Sequence, residues 1–347
     1  MTLNSGAFAL ILDNIFITFM KIITGGAGFI GSAICWKLNL SGITDIIIVD
    51  EDTSGTKKQN LEGLKFTDFV DKDTFLKQVE KGAINYKVDS IYHMGACSST
   101  TENNMEYLIE NNVEYSKSLG KWCLSNNAKY IYASSAATYG DGANGFDDDI
   151  ETIPSLKPLN KYGLSKQMFD MWVIENKLLD KFTGLKYFNV FGPNETHKGS
   201  MRSMVNKAYD QIKETGKLKL FRSLKPEYKD GEQMRDFIYV KDAVDMTLFF
   251  DPINGEGKYS TGIYNIGSGR AATWLDAANA VFKALGKEPQ IEWIDMPDNI
   301  KDQYQYYSKA NMGKLRQAGY KSECMKLEDS IDDYVKKYLV NEKYLSV

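Results

Sequence analysis

The 347-residue sequence contains only two histidines, His93 and His197, and four cysteines. Two imidazoles are too few for a histidine-built metal centre, so no metal is expected. Cys35, Cys97, Cys123 and Cys324 lie far apart, with neither Cys-x-x-Cys nor zinc spacing. Reduced thiols in a cytoplasmic protein account for them most simply. A surplus of positive charge is missing too. The formal net charge of −4 excludes the basic surface that marks nucleic-acid binders. Long apolar runs are also absent. Ala7 to Phe19 is largely apolar, but Asp13 and Asn14 interrupt it and no Lys or Arg precedes it. That pattern argues against a signal peptide and against a membrane span. Residues 1–19 are therefore expected to be an N-terminal extension without catalytic role, read from an upstream start codon. A membrane-surface or partner-binding segment is the alternative.

The rest is the composition of an ordinary globular protein, 43% hydrophobic and 25% charged, long enough for one large or two modest domains. From Met20 short β-branched runs alternate with helical patterns, which predicts a parallel sheet covered on both faces. Strands are expected at Lys21–Thr24, Asp45–Asp50, Leu64–Phe66, Ser90–His93, Lys129–Ala133 and Leu185–Asn189. Helices are expected near Phe29–Leu40, Lys72–Lys81, Asn104–Ser125 and Tyr162–Lys181. This is an α/β, doubly wound, Rossmann-like fold. After Phe191 the character changes, with further helices near Ser200–Thr215, Thr273–Leu285, Lys309–Ala318 and Leu327–Asn341. Strands follow at Leu218–Phe221, Arg235–Val240 and Gly262–Ile266, and Gly140–Gly145 and Asn254–Gly262 read as surface loops. The expected division is a dinucleotide-binding domain over 20–190 with a return segment at 238–267. A smaller α/β substrate lobe takes 191–237 and 268–347.

Thr24-Gly25-Gly26-Ala27-Gly28-Phe29-Ile30-Gly31 follows a strand and opens a helix. Gly25 and Gly28 let backbone amides approach a pyrophosphate, and Gly31 lets the helix pack close to the sheet. Asp50 ends the second strand, where an acid can bind a ribose 2′-hydroxyl. Asp50 with Glu51 and Asp52 favours NAD, whereas Lys57, Lys58 and Lys72 offer partners for a 2′-phosphate and favour NADP. Gly95-Ala96-Cys97-Ser98-Ser99 follows the fourth strand at the ligand-binding edge, with Cys97 a small wall residue. Ser134-Ser135 follows the fifth strand at the same edge. In Tyr162-Gly163-Leu164-Ser165-Lys166 a lysine lies one helical turn beyond a tyrosine, where its ammonium can stabilise a phenolate. Ser135 can hydrogen-bond a substrate oxygen beside Tyr162, or merely cap a turn.

The order of glycine turn, Ser135, Tyr162 and Lys166 resembles the extended short-chain dehydrogenase/reductase superfamily, which acts mainly on nucleotide sugars. Within it the 6-epimerases of ADP-manno-heptoses are most similar. The similarity is carried by Gly95–Glu102, Tyr132–Gly140, Tyr187–Pro193 and His197-Lys198-Gly199-Ser200-Met201. It implies inversion at C6 of the heptose through a transient 6-keto sugar, with NADP tightly bound, in the supply of lipopolysaccharide core heptose. Tyr162 then serves as one acid/base and Lys198 as the second. The resemblance implies that Phe29, Ile30, Asp50, Glu51, Lys57, Lys72, the turn Met94-Gly95-Ala96-Cys97-Ser98, Asn111, Lys166, Val190 and Lys198 touch cofactor. Asn189, Ser200, Lys207, the turn Phe221-Arg222-Ser223, Arg235 and Tyr304 face the sugar nucleotide. It also implies a homo-oligomer, a pentamer. Lys207, where relatives carry histidine, and Arg222-Ser223-Leu224 depart from the pattern.

Two other functions compete. A UDP-hexose 4-epimerase would lack a second base like Lys198, and a catalytically inactive nucleotide-binding regulator would not need the four catalytic residues together.

Overall fold

The computed structural model describes residues 19–51, 55–251, 260–301 and 304–347. The expected extension lies outside the described residues except for Phe19, and so does the expected loop at 254–262 as far as residue 259. The strands are β1 (Phe19–Thr24), β2 (Ile46–Asp50), β3 (Asp68–Asp71), β4 (Lys87–His93), β5 (Lys129–Ser135), β6 (Phe182–Tyr187), β7 (Asn189–Phe191), β8 (Leu218–Phe221), β9 (Met234–Tyr239), β10 (Gly262–Ile266), β11 (Ala271–Thr273) and β12 (Ile291–Ile294).

Seven of them form one parallel sheet in the order β10-β6-β5-β4-β1-β2-β3. Its central strands are near-continuous apolar runs, as a sheet buried on both faces requires; all five residues of β2, Ile46-Ile47-Ile48-Val49-Asp50, are buried. The chain moves outward through β1, β2 and β3, then returns to place β4 against the other side of β1. That reversal opens a crevice at the carboxyl ends of β1 and β4, where ligands bind in open α/β sheets.

The helices that matter to the site are α1 (Phe29–Leu40), α2 (Thr56–Gln59), α3 (Lys72–Glu80), α4 (Met105–Leu108), α5 (Tyr115–Asn126), α6 (Lys161–Glu175), α7 (Met204–Thr215), α8 (Val240–Phe249) and α9 (Trp274–Ala284). On one face of the sheet α1 packs with α8, and on the other α3 packs with α5 while α6 covers β5. Two smaller sheets, β11-β9-β7 and β12-β8, carry the far wall of the crevice.

Several boundaries differ from those expected. The third strand is Asp68–Asp71, not Leu64–Phe66. Acids at both of its ends hide it as a strand, yet they suit the edge of a sheet, and Leu64 packs into the core instead. The helix expected over Asn104–Ser125 opens into a π-helical stretch at Ile109–Glu114. The one expected over Tyr162–Lys181 ends at Glu175, and Lys177 then has φ +58°. Ser203 caps α7 by accepting from the Asn206 N–H at 3.2 Å, so that helix starts at Met204 rather than Ser200. The helix expected at Lys309–Ala318 shrinks to Gly313–Gln317, because the Asn311 side chain accepts from the Gly313 N–H at 2.9 Å and holds a turn there. The last helix is α-helical over Leu327–Tyr334 and π-helical over Val335–Leu339.

Candidate active site

The glycine turn delivers α1 to the crevice end-on. Gly25 has φ +63°, and a Cβ there would lie 2.7 Å from Gly95 Cα. A Cβ on Gly31 would lie 2.2 Å from the Gly25 carbonyl oxygen, so only glycine fits at either place. The Gly28 N-cap has no side chain and the first turn of α1 has no acid. Its free N–H groups therefore face a cavity of about 420 Å³ with an uncancelled positive dipole end. An anionic pyrophosphate fits that cradle.

The wall of this cavity includes Gly25, Gly28, Phe29, Ile30, Gly31, Asp50, Glu51, Lys57, Lys72, Asn111, Lys198 and the turn from Met94 to Ser98. The Asp50 carboxylate is buried and accepts from the Ala27 N–H at 2.9 Å, the Glu51 N–H at 2.7 Å and the Lys57 ammonium. Lys72 pairs with Glu51 at 2.9 Å and donates to Asn111 Oδ1 at 3.2 Å. That ammonium holds the Glu51 carboxyl below its ordinary range. Asp50 and Glu51 are thus each matched by a lysine.

The π-helical stretch separates the duties of two adjacent asparagines. Asn111 faces the cavity, while Asn112 is buried and grips both the N–H (2.8 Å) and the carbonyl (3.0 Å) of Cys97. Asn112 also donates to Ser165 Oγ at 2.9 Å, tying the Cys97 turn to the tyrosine helix. Its role escaped the sequence; the only trace was a pair of poor helix formers in mid-helix.

A second cavity of about 680 Å³ shares Phe29, Met94, Ala133 and Lys198 with the first. Ser135, Tyr162, Lys166, Asn189, Val190 and Lys198 all lie on its wall. Ser135 closes β5 and caps the turn that follows, as expected of it, while also lying beside Tyr162. Its hydroxyl accepts from the Ala137 N–H at 3.1 Å and hydrogen-bonds the Tyr162 phenol. Burial pushes the Tyr162 pKa up, and the Ser135 bond opposes that rise. Asn160 caps α6 by accepting from the Gly163 N–H at 2.7 Å, which places Tyr162 in the first turn. Lys166 is buried, and burial lowers its pKa to about 8. Its ammonium donates to the Ala133 carbonyl at 2.9 Å rather than to the phenol.

Behind this group, one turn beyond Lys166, Asp170 pairs with Lys186 at 2.6 Å, both fully buried. Asp170 also accepts from Ser134 Oγ at 2.7 Å and the Tyr132 hydroxyl at 3.0 Å. Helix α6 is thereby bolted to β5 and β6.

Lys198 comes from the other side, on a 3₁₀ segment at Thr196–Met201. It is half-buried, and its ammonium lies 5.5 Å from the centre of the Phe29 ring. Among the described residues its ammonium has no ion pair or hydrogen bond, and burial lowers its pKa against the opposing pull of Glu195. A phenol and an amine from unconnected elements thus face one space.

Of the residues expected at the sugar nucleotide, Asn189, Lys207, Phe221 and Tyr304 line the larger cavity. Burial and the Arg202 guanidinium lower the Lys207 pKa. Arg235 is buried and is not itself on that cavity's wall; its guanidinium lies over the rings of Tyr304 (5.3 Å) and Trp274 (5.6 Å), which are. The neighbouring Asp236 is not its ion-pair partner; it accepts instead from Ser268, Gly269 and Ala310. Ser200, Arg222 and Ser223 lie off the wall. Ser200 and Arg222 are exposed, Arg222 pairs with Asp230 at 3.2 Å, and the Ser223 N–H donates to the same carboxylate at 2.8 Å.

The sequence matches the NAD dependent epimerase/dehydratase family over residues 21–267. It is 50% identical over 320 residues to an ADP-L-glycero-D-manno-heptose-6-epimerase of Nitratidesulfovibrio vulgaris, covering 92% of this chain and 98% of that one. The same-named protein of Fusobacterium nucleatum is 46% identical over 332 residues, covering 93% and 99%. Among solved structures, the ADP-L-glycero-D-manno-heptose-6-epimerase of Helicobacter pylori superposes with a TM-score of 0.74 at 26% identity, covering 94% and 98%.

Proposed function

The chain belongs to the NAD dependent epimerase/dehydratase family, and from that premise we propose that it inverts C6 of ADP-D-glycero-D-manno-heptose, giving the L-glycero epimer. The observation that carries this reading is the pair Tyr162 and Lys198, on the wall of one cavity from separate elements. Relatives of this chain at 46% and 50% identity bear the name of that activity.

Gly25, Gly28, Asp50, Asn111 and Lys166 would hold a nicotinamide dinucleotide against the sheet edge. When bound, it supplies an acceptor for the hydride of C6 and later its return. Tyr162 exchanges the proton of the 6-hydroxyl on one face, steadied by Ser135. Lys198 does so from the opposite face, after the 6-keto sugar has turned in the cavity. In this reading the 6-hydroxyl oxygen stands on opposite sides of the hydride donor before and after the turn, and each side has its own acid/base. A lysine whose pKa is lowered by burial suits the second post. Arg235 serves the diphosphate. Lys57 and Lys72, set against Asp50 and Glu51, favour NADP, because they offset the acids that would repel a 2′-phosphate. The residues over 20–190 and 238–267 act as the dinucleotide-binding domain, and those over 191–237 and 268–347 as the substrate lobe.

Proton NMR of the purified protein with either C6 epimer, without added cofactor, should show both epimers at equilibrium. No inversion, with turnover of a UDP-hexose instead, would sink the heptose reading. Titration of nucleotide-free protein should show tighter binding of NADP than of NAD; the reverse order removes the NADP assignment alone.

A further inference from the structure

Asn60 ends α2, the short helix that carries Lys57, and is fully buried. Its Nδ2 lies 2.9 Å from the carbonyl oxygen of Ala27, inside the glycine turn. The same nitrogen lies 3.0 Å from Nδ1 of His197. A carbonyl can only accept, so the Ala27 contact fixes which end of the amide faces the turn. The second hydrogen of that nitrogen then goes to His197 Nδ1, and the imidazole is neutral. Its surroundings agree. Burial and the ammonium groups of Lys57 and Lys198 lower the His197 pKa to about 4, against a hydrogen bond to the Asn194 backbone. A protonated ring would meet Asn60 donor to donor.

His197 immediately precedes Lys198, and Gly199 follows at φ +54°. Among the described residues no hydrogen bond or ion pair fixes the Lys198 ammonium, which only overlies the Phe29 ring, so its place depends largely on the backbone beneath it. One end of that backbone is anchored by the buried Glu195 carboxylate, which accepts from the Gly192 N–H (3.1 Å), the Ser203 N–H (2.5 Å) and Ser203 Oγ (2.7 Å). The other anchor is the imidazole on Asn60. We propose that His197 is a positioning residue, which through Asn60 ties the Lys198 segment to the dinucleotide-binding glycine turn. The tie keeps Lys198 at the mouth shared by the two cavities. It also makes one buried amide serve both the cofactor cradle and the second acid/base. This rests on the reading of Lys198 given above.

Two variants of the holoprotein separate a tie from a space-filler. His197→Asn keeps an acceptor near the place of Nδ1, and His197→Leu keeps the bulk without the acceptor. His197→Leu should lower kcat for inversion about 30–100-fold, the scale of a small misplacement of a reacting group. KM and the Kd for the nicotinamide nucleotide should stay within about threefold of wild type. His197→Asn should recover kcat to within about threefold. Amide hydrogen exchange over residues 194–203 should quicken about tenfold in the leucine variant and stay near wild type in the asparagine variant. Equal kcat in the two variants overturns the tie, as does a loss of kcat in step with lost nucleotide. If wild type inverts neither epimer, the proposed function fails. The exchange contrast then still decides the tie, by its presence or absence.

Discussion

Tyr162 and Lys198 face the same cavity from two different kinds of structure. Tyr162 stands on a capped helix whose next turns carry Lys166 and Asp170, and Asp170 is tied to β5 and β6 through Ser134, Tyr132 and Lys186. Lys198 stands on a 3₁₀ segment with a positive-φ glycine beside it and a half-exposed face. One half of the site is built into the sheet; the other leans on it through Glu195 and His197. The proposed inversion uses an acid/base on each side of the carbon, and a sheet edge offers only one side. The second group has to come from a connection that crosses the crevice, and such connections are less rigid than the scaffold.

The sharpest test of that contrast removes each acid/base in turn. Tyr162→Phe and Lys198→Met should each lower the rate of inversion by about 10³-fold or more. Both variants should stay folded and keep their nucleotide, as read by circular dichroism and by absorbance of the bound cofactor. An inversion rate near wild type in Lys198→Met would end the two-sided mechanism and leave the tyrosine half alone.

The next effect is on stability and falls on one half only. Asp170→Asn leaves the Lys186 ammonium buried without a counter-charge, which costs about 3–5 kcal/mol. Pairing it with Lys186→Met removes the stranded charge and should recover most of that loss, since the amide introduced by Asp170→Asn can accept at its oxygen from one of the two hydroxyls, Tyr132 and Ser134, and donate at its nitrogen to the other. Urea unfolding of the single and double variants measures both. A single variant within about 1 kcal/mol of wild type would mean that the pair is no bolt at all. No substitution of comparable size is available at Lys198, whose ammonium makes no ion pair among the described residues and feels Glu195 only at a distance.

The same contrast explains what the sequence disclosed. The tyrosine half was legible because helical spacing brings residues 162 and 166 onto one face, and because Ser135 ends a strand. The glycine turn was legible for the same reason, since a local backbone need forces Gly25 and Gly31. Helix α1 and the strands at 218–221 and 262–266 match their expected limits for want of any competing signal. The lysine half was not legible from spacing. Lys198 reads as an ordinary loop lysine, and only likeness to relatives singled it out. Contacts across long separations were missed altogether. Asn60 meets His197 across 137 positions, and nothing in either neighbourhood points to the other. Asn112 was hidden differently, by a π-helical register that sequence periodicity does not report. Ser200, Arg222 and Ser223 show the converse limit, since a place in a motif did not bring them to the cavity wall.

The smallest effect concerns what the rigid half costs in the absence of ligand. Lys166 is buried, and its pKa falls from the ordinary 10.5 to about 8. At pH 7 both folded and unfolded chains carry the proton, so the folded protein bears the full cost of a poorly solvated ammonium. Between about pH 8 and 10.5 the folded chain has released that proton while the unfolded chain still holds it. The cost therefore fades as pH rises through this window. Lys166→Met removes the ammonium, and in nucleotide-free protein it should raise stability at pH 7 by up to roughly 3 kcal/mol, the ceiling set by that shift. The lost hydrogen bond to the Ala133 carbonyl offsets part of this gain. The advantage of the variant should shrink from about pH 8 to about pH 10.5 in urea unfolding. An advantage that grows with pH would mean that Lys166 is better solvated than its burial implies. The outcome matters to the comparison because the tyrosine half is held in place so firmly. A scaffold fixed by the Asp170–Lys186 pair can keep an unfavourable ammonium on the cavity wall, whereas the Lys198 segment, half-exposed, is held only where Glu195 and His197 anchor it.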